Sequence, residues 1–477
     1  MSSSKKIIKN TLVIFLGQIF QFLLSVIFVA VIARKLGDDG YGKYSFAVGF
    51  SGIFMVLADI GLNSLAFRDI ARDKSTSEKY LGNIIIIKLA LSITTFVIML
   101  IFINCISSSY QIRFIVYCIG AYIILTEFTQ LFRFTFYAFE KMVYGMLVTI
   151  LDRFLLVLIG TVILLNKPDI RVFSMMFIFV GIFSWLFSFL ICIKKFSVPK
   201  IEVDFKFWMY LFKEAIPLGI MIFFTAIYQK VNITILSTYK GNSETGWYSA
   251  SFNFYIQMSM IATAIVTAVF PRLSYIAVSG KELLLPMYQK CLRYLIILAM
   301  PFMVGMIVLA DKIILLIYGS DFVNSVFTFK IIALALVFSL CNILLWSVLV
   351  VINKQIISAL NLGLTLIGLI MLDIIFIPRW GYIGATVAQV GADIILFLIS
   401  FYFVSKYIGF IPIHKILAKP LLASLGMGIV IFMFKEAALF FVIPFGGGIY
   451  FALLYLTKGL LEEDIQLINN IFIKNKS

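Results

Sequence analysis

Long apolar runs alternate with short polar clusters along nearly the whole chain. Runs of spanning length lie near 11–33, 43–63, 81–103, 114–133, 145–165, 172–193, 211–237, 247–271, 294–317, 327–352, 356–377 and 382–404. A bilayer core of about 30 Å needs ~20 consecutive apolar residues in a helix, and each of these runs supplies them. Two more runs, near 420–434 and 438–457, are shorter and interrupted by glycine. The pattern predicts an all-α integral membrane protein with about 14 transmembrane helices. Twelve helices plus a re-entrant pair is the alternative. The first run follows Lys5, Lys6 and Lys9 and extends over 23 residues. That exceeds the roughly 7–15-residue core of a secretory signal, so the expectation is a retained span.

Composition agrees with the pattern. Hydrophobic residues make up 62% and charged residues 13% of the chain, against about 25% charged in soluble domains. The net charge of +16 would suit nucleic acid only if it formed a basic face in water. Here the basic residues fall in short clusters between apolar runs. Alternate loops carry 24 Lys and Arg on the side of the N-terminus and 10 on the other. By the positive-inside rule, both termini lie in the cytoplasm of a cell-membrane protein. Cys105, Cys118, Cys192, Cys291 and Cys341 are scattered singly, and His414 is the sole histidine. Neither a metal centre nor a histidine relay is expected from such a set.

An internal repeat organises the spans. LGDDGYGKYSFAVGF at 36–50 and KGNSETGWYSASFNF at 240–254 match without gaps at an offset of 204: Gly37 with Gly241, Gly42 with Gly246, Tyr44 with Tyr248, Ser45 with Ser249 and Phe50 with Phe254. Each segment links the first and second spans of a six-span unit. Six is even, so the two units share one orientation. The expectation is two parallel six-helix repeats around a central cavity, an arrangement known among transporters. The predicted divisions are an N-terminal lobe at 1–193, a cytoplasmic linker at 194–210, a C-terminal lobe at 211–404, and an added span pair with a cytoplasmic tail at 405–477.

GDDGYGK at 37–43 has the G-x-x-x-x-G-K spacing of a phosphate loop, but Tyr44 stands where Ser or Thr must hold magnesium. No nucleotide is expected. Charges within the spans are more informative, because an ion at the bilayer centre costs ~2.5–3.5 kcal/mol even on the lenient scale. Arg153 therefore faces a protein interior or a wet cavity. One reading pairs it with Glu127, placed at similar depth across the hairpin of the fourth and fifth spans. The other gives Arg153, with Arg133 and Lys88, to an anionic ligand. Both hold if the pair breaks during transport. Asp152, next to Arg153, joins the candidates for ion pairing or coupling. Lys230 is either a ligand group or a partner for an acid such as Asp393. Asp59 and Asp373 fall near span ends, where interfacial placement is expected. Gln18 and Gln21, with Ser25, share a face of the first span, and Asn253 and Gln257 share one of the eighth. They line a polar cavity or join helices, and face inward either way. Asn232 lies two residues beyond Lys230.

The segments ARKLGDDGYGKYSFA at 33–47, ADIGLNSLAFRDIAR at 58–72, YAFEKM at 137–142, FPRLS at 270–274, IYGSDF at 317–322 and PRWGYIGATVAQ at 378–389 carry a resemblance. Together they punctuate almost the whole chain. The sequence resembles the polysaccharide (O-antigen, Wzx-type) flippases of the multidrug/oligosaccharidyl-lipid/polysaccharide exporter superfamily. The resemblance implies a two-lobed carrier, not an enzyme, that flips a polyprenyl-diphosphate-linked oligosaccharide outward by alternating access. Its partners would be that anionic lipid-linked glycan and the surrounding membrane lipids. No cofactor is implied beyond a coupling ion, proton or sodium. The family often has an acid where this chain has Asn232, which weakens a carboxylate switch at that position. A diphosphate needs cationic contacts along its path, and arginine suits its oxygens. Arg153, Lys88, Arg133 and Lys230 are the candidates. Two other functions stand beside this one. A cation-coupled drug or small-molecule antiporter of the same superfamily would show a carboxylate-dominated cavity. A membrane-embedded glycan polymerase would need a large outer loop, and no predicted outer loop exceeds roughly a dozen residues.

Overall fold

The computed structural model describes residues 3–107, 109–279 and 281–460. The predicted tail beyond 460 lies outside the described residues. Fourteen α-helices follow one another: α1 (Ser3–Asp59), α2 (Leu62–Arg72), α3 (Ser77–Ile106), α4 (Tyr110–Ala138), α5 (Met142–Asn166), α6 (Ile170–Lys195), α7 (Phe205–Lys240), α8 (Asn242–Ser279), α9 (Lys281–Val308), α10 (Ala310–Ile317), α11 (Ser325–Val351), α12 (Gln355–Tyr407), α13 (Ile413–Met433) and α14 (Leu439–Leu456). Twelve of them are long and apolar enough to cross a membrane. The two longest each supply two passes. At 57 residues, α1 would be about 85 Å long if straight, and it breaks at Gly37, where φ is 66° and ψ is −173°. The 53-residue α12 breaks at Gly381, with φ 56° and ψ −133°, just after Pro378. Fourteen passes result among the described residues, including the glycine-interrupted pair α13 and α14. The two short helices, α2 and α10, are the amphipathic ones.

The spans are turned inside out relative to a soluble helix. On α3, Leu89, Ile93, Val97 and Ile101 recur every four residues and are exposed, whereas Lys88, Ser92, Thr95 and Met99 are buried. The apolar stripe suits lipid contact, and the polar side chains point into the protein.

Two compact units are distinguished. The first comprises Met1–Ser249, Ile317–Phe322 and Ile370–Ala385, and the second Ala250–Leu316, Val323–Leu369 and Thr386–Ser477. In the second, α13 and α14 pack on α9 through Ile297, Val304, Met427, Val442 and Tyr450. The Tyr450 hydroxyl donates to the Ile297 carbonyl at 2.7 Å.

The sequence repeat has a structural counterpart inside the first unit. Gly241 adopts φ 85° and ψ −167°, nearly the conformation of Gly37. A side chain on Gly42 would overlap the carbonyl of Asn242, and one on Gly246 would overlap the carbonyl of Asp38. Position 38 corresponds to 242 at the same offset that relates 42 to 246. The two copies thus meet through one reciprocal backbone contact, and only glycine lets them approach so closely.

Candidate functional site

A cavity of about 430 Å³ opens within the first unit. The largest share of its wall comes from α4, through Ile119, Tyr122, Ile123, Thr126, Thr129, Gln130 and Arg133. These positions repeat every three or four residues and so form one helical face. Val148, Thr149, Asp152 and Arg153 of α5 face them, with Gln21, Tyr44 and Val48 from α1 and Phe177 from α6.

Charge is distributed unevenly around this space. The Tyr122 hydroxyl donates to Asp152 Oδ2 at 2.9 Å, and the Ser184 hydroxyl donates to Asp152 Oδ1 at 2.8 Å. Both carboxylate oxygens are therefore held by neutral donors, although Asp152 still offsets one positive charge nearby. Neither Arg133 nor Arg153 has an ion pair or side-chain hydrogen bond among the described residues. Arg133 Nε is buried without an acceptor. A buried donor left unmatched in this way is costly, and an anion entering the cavity would relieve it. Two guanidinium groups, one carboxylate and a ring of hydroxyl and amide groups make a net cationic, hydrogen-bonding pocket.

Lys88, expected with the two arginines, is placed elsewhere. It is wholly buried (0% exposed). Its ammonium donates to Asp59 Oδ1 at 2.7 Å, to Asn63 Oδ1 at 3.1 Å and to the Glu127 carbonyl at 3.1 Å, with Glu127 Oε2 at 3.3 Å. A lysine so saturated has no hydrogen left for a ligand. The Glu127–Arg153 pair is likewise replaced, because Glu127 Oε2 takes Lys88 and the Asn63 amide at 2.9 Å. Glu127 and Arg133 are six residues apart, hence about 120° apart around α4, so the two cannot share the cavity wall. Asp59 and Asp373, expected at the interface, are both buried.

Lys230 is half-buried on α7, its aliphatic stem close to Gly52 of α1. It has no ion-pair partner among the described residues, so the pairing with Asp393 has no counterpart. Asp393 instead accepts from the Tyr255 hydroxyl at 2.7 Å and from Gln389 at 3.4 Å. Asn232 donates to the Ala385 carbonyl at 3.3 Å, joining helices. Of the paired glutamines on α1, Gln21 lines the cavity whereas Gln18 is exposed. Asn253 and Gln257 are half-buried on α8. The sequence pattern did not assign Tyr44, Tyr122, Thr126, Thr129, Gln130 or Ser184 to this site. The polar stripe at 126, 129, 130 and 133 was the signal that could have found the α4 residues.

Residues 7–277, more than half of the chain, match the family described as polysaccharide biosynthesis protein. The chain belongs to this family. The polysaccharide biosynthesis family member is 22% identical over 466 residues to a probable low-salt glycan biosynthesis flippase, Agl15, of Haloferax volcanii, with 96% of each chain covered. Its fold is that of a lipid II flippase, MurJ, in an inward closed conformation: the TM-score is 0.78 at 20% identity, over 94% of this chain and 98% of that one. An inward-facing multidrug resistance MATE transporter of the MOP superfamily also shares the fold, with TM-score 0.65 at 14% identity, over 81% and 95% of the two chains. The family member is thus a multi-pass helical membrane protein that shares this fold.

Proposed function

We propose that the protein translocates a lipid-linked anionic oligosaccharide across the cell membrane, with both termini in the cytoplasm. The observation that carries this reading is the pair Arg133 and Arg153, which line one cavity with no ion-pair partner among the described residues. Arginine presents a planar fork of donors that matches phosphate oxygens. A cavity of about 430 Å³ is on the scale of small-molecule sites. It suits a diphosphate with the first sugar, while the lipid tail stays in the bilayer. Thr126, Thr129, Gln130 and Tyr44 supply hydroxyl and amide groups of the kind that sugar hydroxyls bind. The glycan flippase similarity supports the same substrate class.

The fold also fits a cation-coupled antiporter. That function favours an accessible carboxylate, and the one on this cavity, Asp152, has both oxygens occupied. The decisive experiment is flipping of a fluorescent polyprenyl-diphosphate sugar in proteoliposomes, comparing wild type with Arg153→Ala and Arg133→Ala. Protein-dependent flipping that both substitutions abolish, with normal insertion, is the expected outcome. Flipping that survives both would move the head-group site elsewhere. No flipping by wild type, across several glycans and ion gradients, would favour the antiporter.

A further inference from the structure

The cluster around Lys88 is short of one positive charge. The titratable groups that meet there are Asp59 from α1, Lys88 from α3 and Glu127 from α4, and α2 contributes the neutral Asn63. Asp59, Lys88 and Glu127 are 7%, 0% and 1% exposed. Two carboxylates against one ammonium leave a net negative charge sealed inside, which a low-dielectric interior does not tolerate.

The hydrogen bonds identify which carboxylate is ionised. Asp59 accepts from the Lys88 ammonium at 2.7 Å and from the backbone N–H groups of Asn63 at 3.1 Å and Gly61 at 3.2 Å. Three donors, one of them charged, hold it as an anion. Glu127 has Lys88 only at 3.3 Å, the longest of four acceptors competing for three ammonium hydrogens. Its Oε1 is buried and has no hydrogen-bond partner among the described residues. A neutral carboxyl can leave that oxygen unmatched at far lower cost than a carboxylate can.

The same cluster fastens a joint. Between α1 and α2, Ile60 and Gly61 take consecutive positive φ values of 50° and 88°, and Asp59 holds this bend through its two backbone hydrogen bonds. The bend lies directly on α7: a side chain on Gly61 would come within 2.6 Å of the Ala215 carbonyl, and one on Gly219 within 2.5 Å of the Ile60 carbonyl. Beyond it, Arg68 of α2 reaches Glu214 of α7 at 3.0 Å. We propose that Glu127 carries an exchangeable proton, and that its departure draws Lys88 from Asp59 and loosens the α1–α2 joint from α7. The cluster is then a proton site that sets the contact between α2 and α7, independent of which cargo the carrier moves.

The test uses the full-length protein in lipid nanodiscs with glutamate carboxyls labelled with carbon-13. Infrared spectra follow the protonated glutamate carbonyl from about pH 6, where exposed glutamates are already ionised, to alkaline pH. Spin labels at Arg72→Cys and Met209→Cys, in a Cys105→Ser background, report the α2–α7 distance over the same range. Wild type should show a protonated glutamate signal that disappears as pH rises, with the distance distribution broadening in step. Glu127→Gln should lose the signal entirely and hold the narrow distribution at every pH. The proposal is overturned by a signal that persists in Glu127→Gln, by its absence at all pH values, by a loss that follows sodium instead of pH, or by distances that never change. If Glu127→Gln does not fold, the wild-type spectra decide alone, since Glu127 is the one buried glutamate among the described residues.

Discussion

Lys88 and Arg153 look alike along the chain, each a basic residue deep in an apolar run. Their surroundings differ completely. Around Lys88, four helices converge to satisfy one ammonium with Asp59, Asn63 and Glu127. Around Arg153 and Arg133, the nearest carboxylate is already engaged by Tyr122 and Ser184, and a cavity occupies the place where a partner would sit. A buried cation that is fully paired braces the fold. One that is left without a partner beside a cavity is poised for something that arrives from outside.

The largest effect should come from removing the braced cation. Lys88→Met leaves Asp59 and Glu127 together without their ammonium, and breaking a buried pair this way costs about 3–5 kcal/mol. Thermal unfolding in detergent should show most of the folded protein lost. Lys88→Met combined with Asp59→Asn and Glu127→Gln should recover much of that loss, because no uncompensated charge then remains. A Lys88→Met protein as stable as wild type would remove the distinction between the two regions.

Arg153→Ala should behave in the opposite way. No pair is broken, so unfolding should shift by less than about 1 kcal/mol, while flipping falls at least ~10-fold, equivalent to about 1.4 kcal/mol. Arg153→Lys should recover only part of the rate, since it keeps the charge but loses the fork. Normal flipping by Arg153→Ala together with impaired folding would show that this arginine, too, is structural.

Asp152→Asn sharpens the contrast further. If Asp152 is held by neutral donors and not by Arg153, the amide should keep one of its two hydrogen bonds and cost about 1 kcal/mol. A loss approaching that of Lys88→Met would reveal a hidden ion pair with Arg153. Paired unfolding curves of the two variants make the comparison.

These contrasts also show what could be read from residues in order. Apolar run length predicted the spans, because lipid imposes a length that composition records. The shared backbone of Gly37 and Gly241 was legible as a matched glycine, since few other residues adopt positive φ without strain. Arg133, Asp152 and Gln21 line the cavity beside Arg153, whose inward placement was legible from the cost of charge in lipid. The partner of Lys88 was not. Depth along a hairpin places Glu127 near Arg153, yet whether two residues meet depends on azimuth, and Glu127 points away from the α4 face that carries Arg133. Asp59 was assigned to an interface because it ends a span, but the α1–α2 bend folds it back inside.

Arg68 offers the intermediate case, a cation that is paired yet about one-third exposed (35%). It bonds Asp69 at 2.8 Å and Glu214 at 3.0 Å, and Asp69 also accepts from Tyr80 and Tyr210. Burial works to raise the Asp69 pKa, but the hydrogen bonds from Arg68 and Tyr80 and the charge of Arg68 outweigh it, leaving the carboxyl below its ordinary range. A group depressed in the folded state contributes its full stability above its unfolded value, about 3.9, and loses it as pH falls through the folded value. Wild type and Asp69→Asn should therefore differ at neutral pH and converge in acid. Arg68→Ala should cost under ~1 kcal/mol at neutral pH, because solvent screens a rim pair, and added salt should shrink that cost further. Lys88→Met, sealed from solvent, should show no such salt dependence. Equal salt sensitivity in the two variants would mean that water reaches Lys88, and the braced region would then be a second wet site.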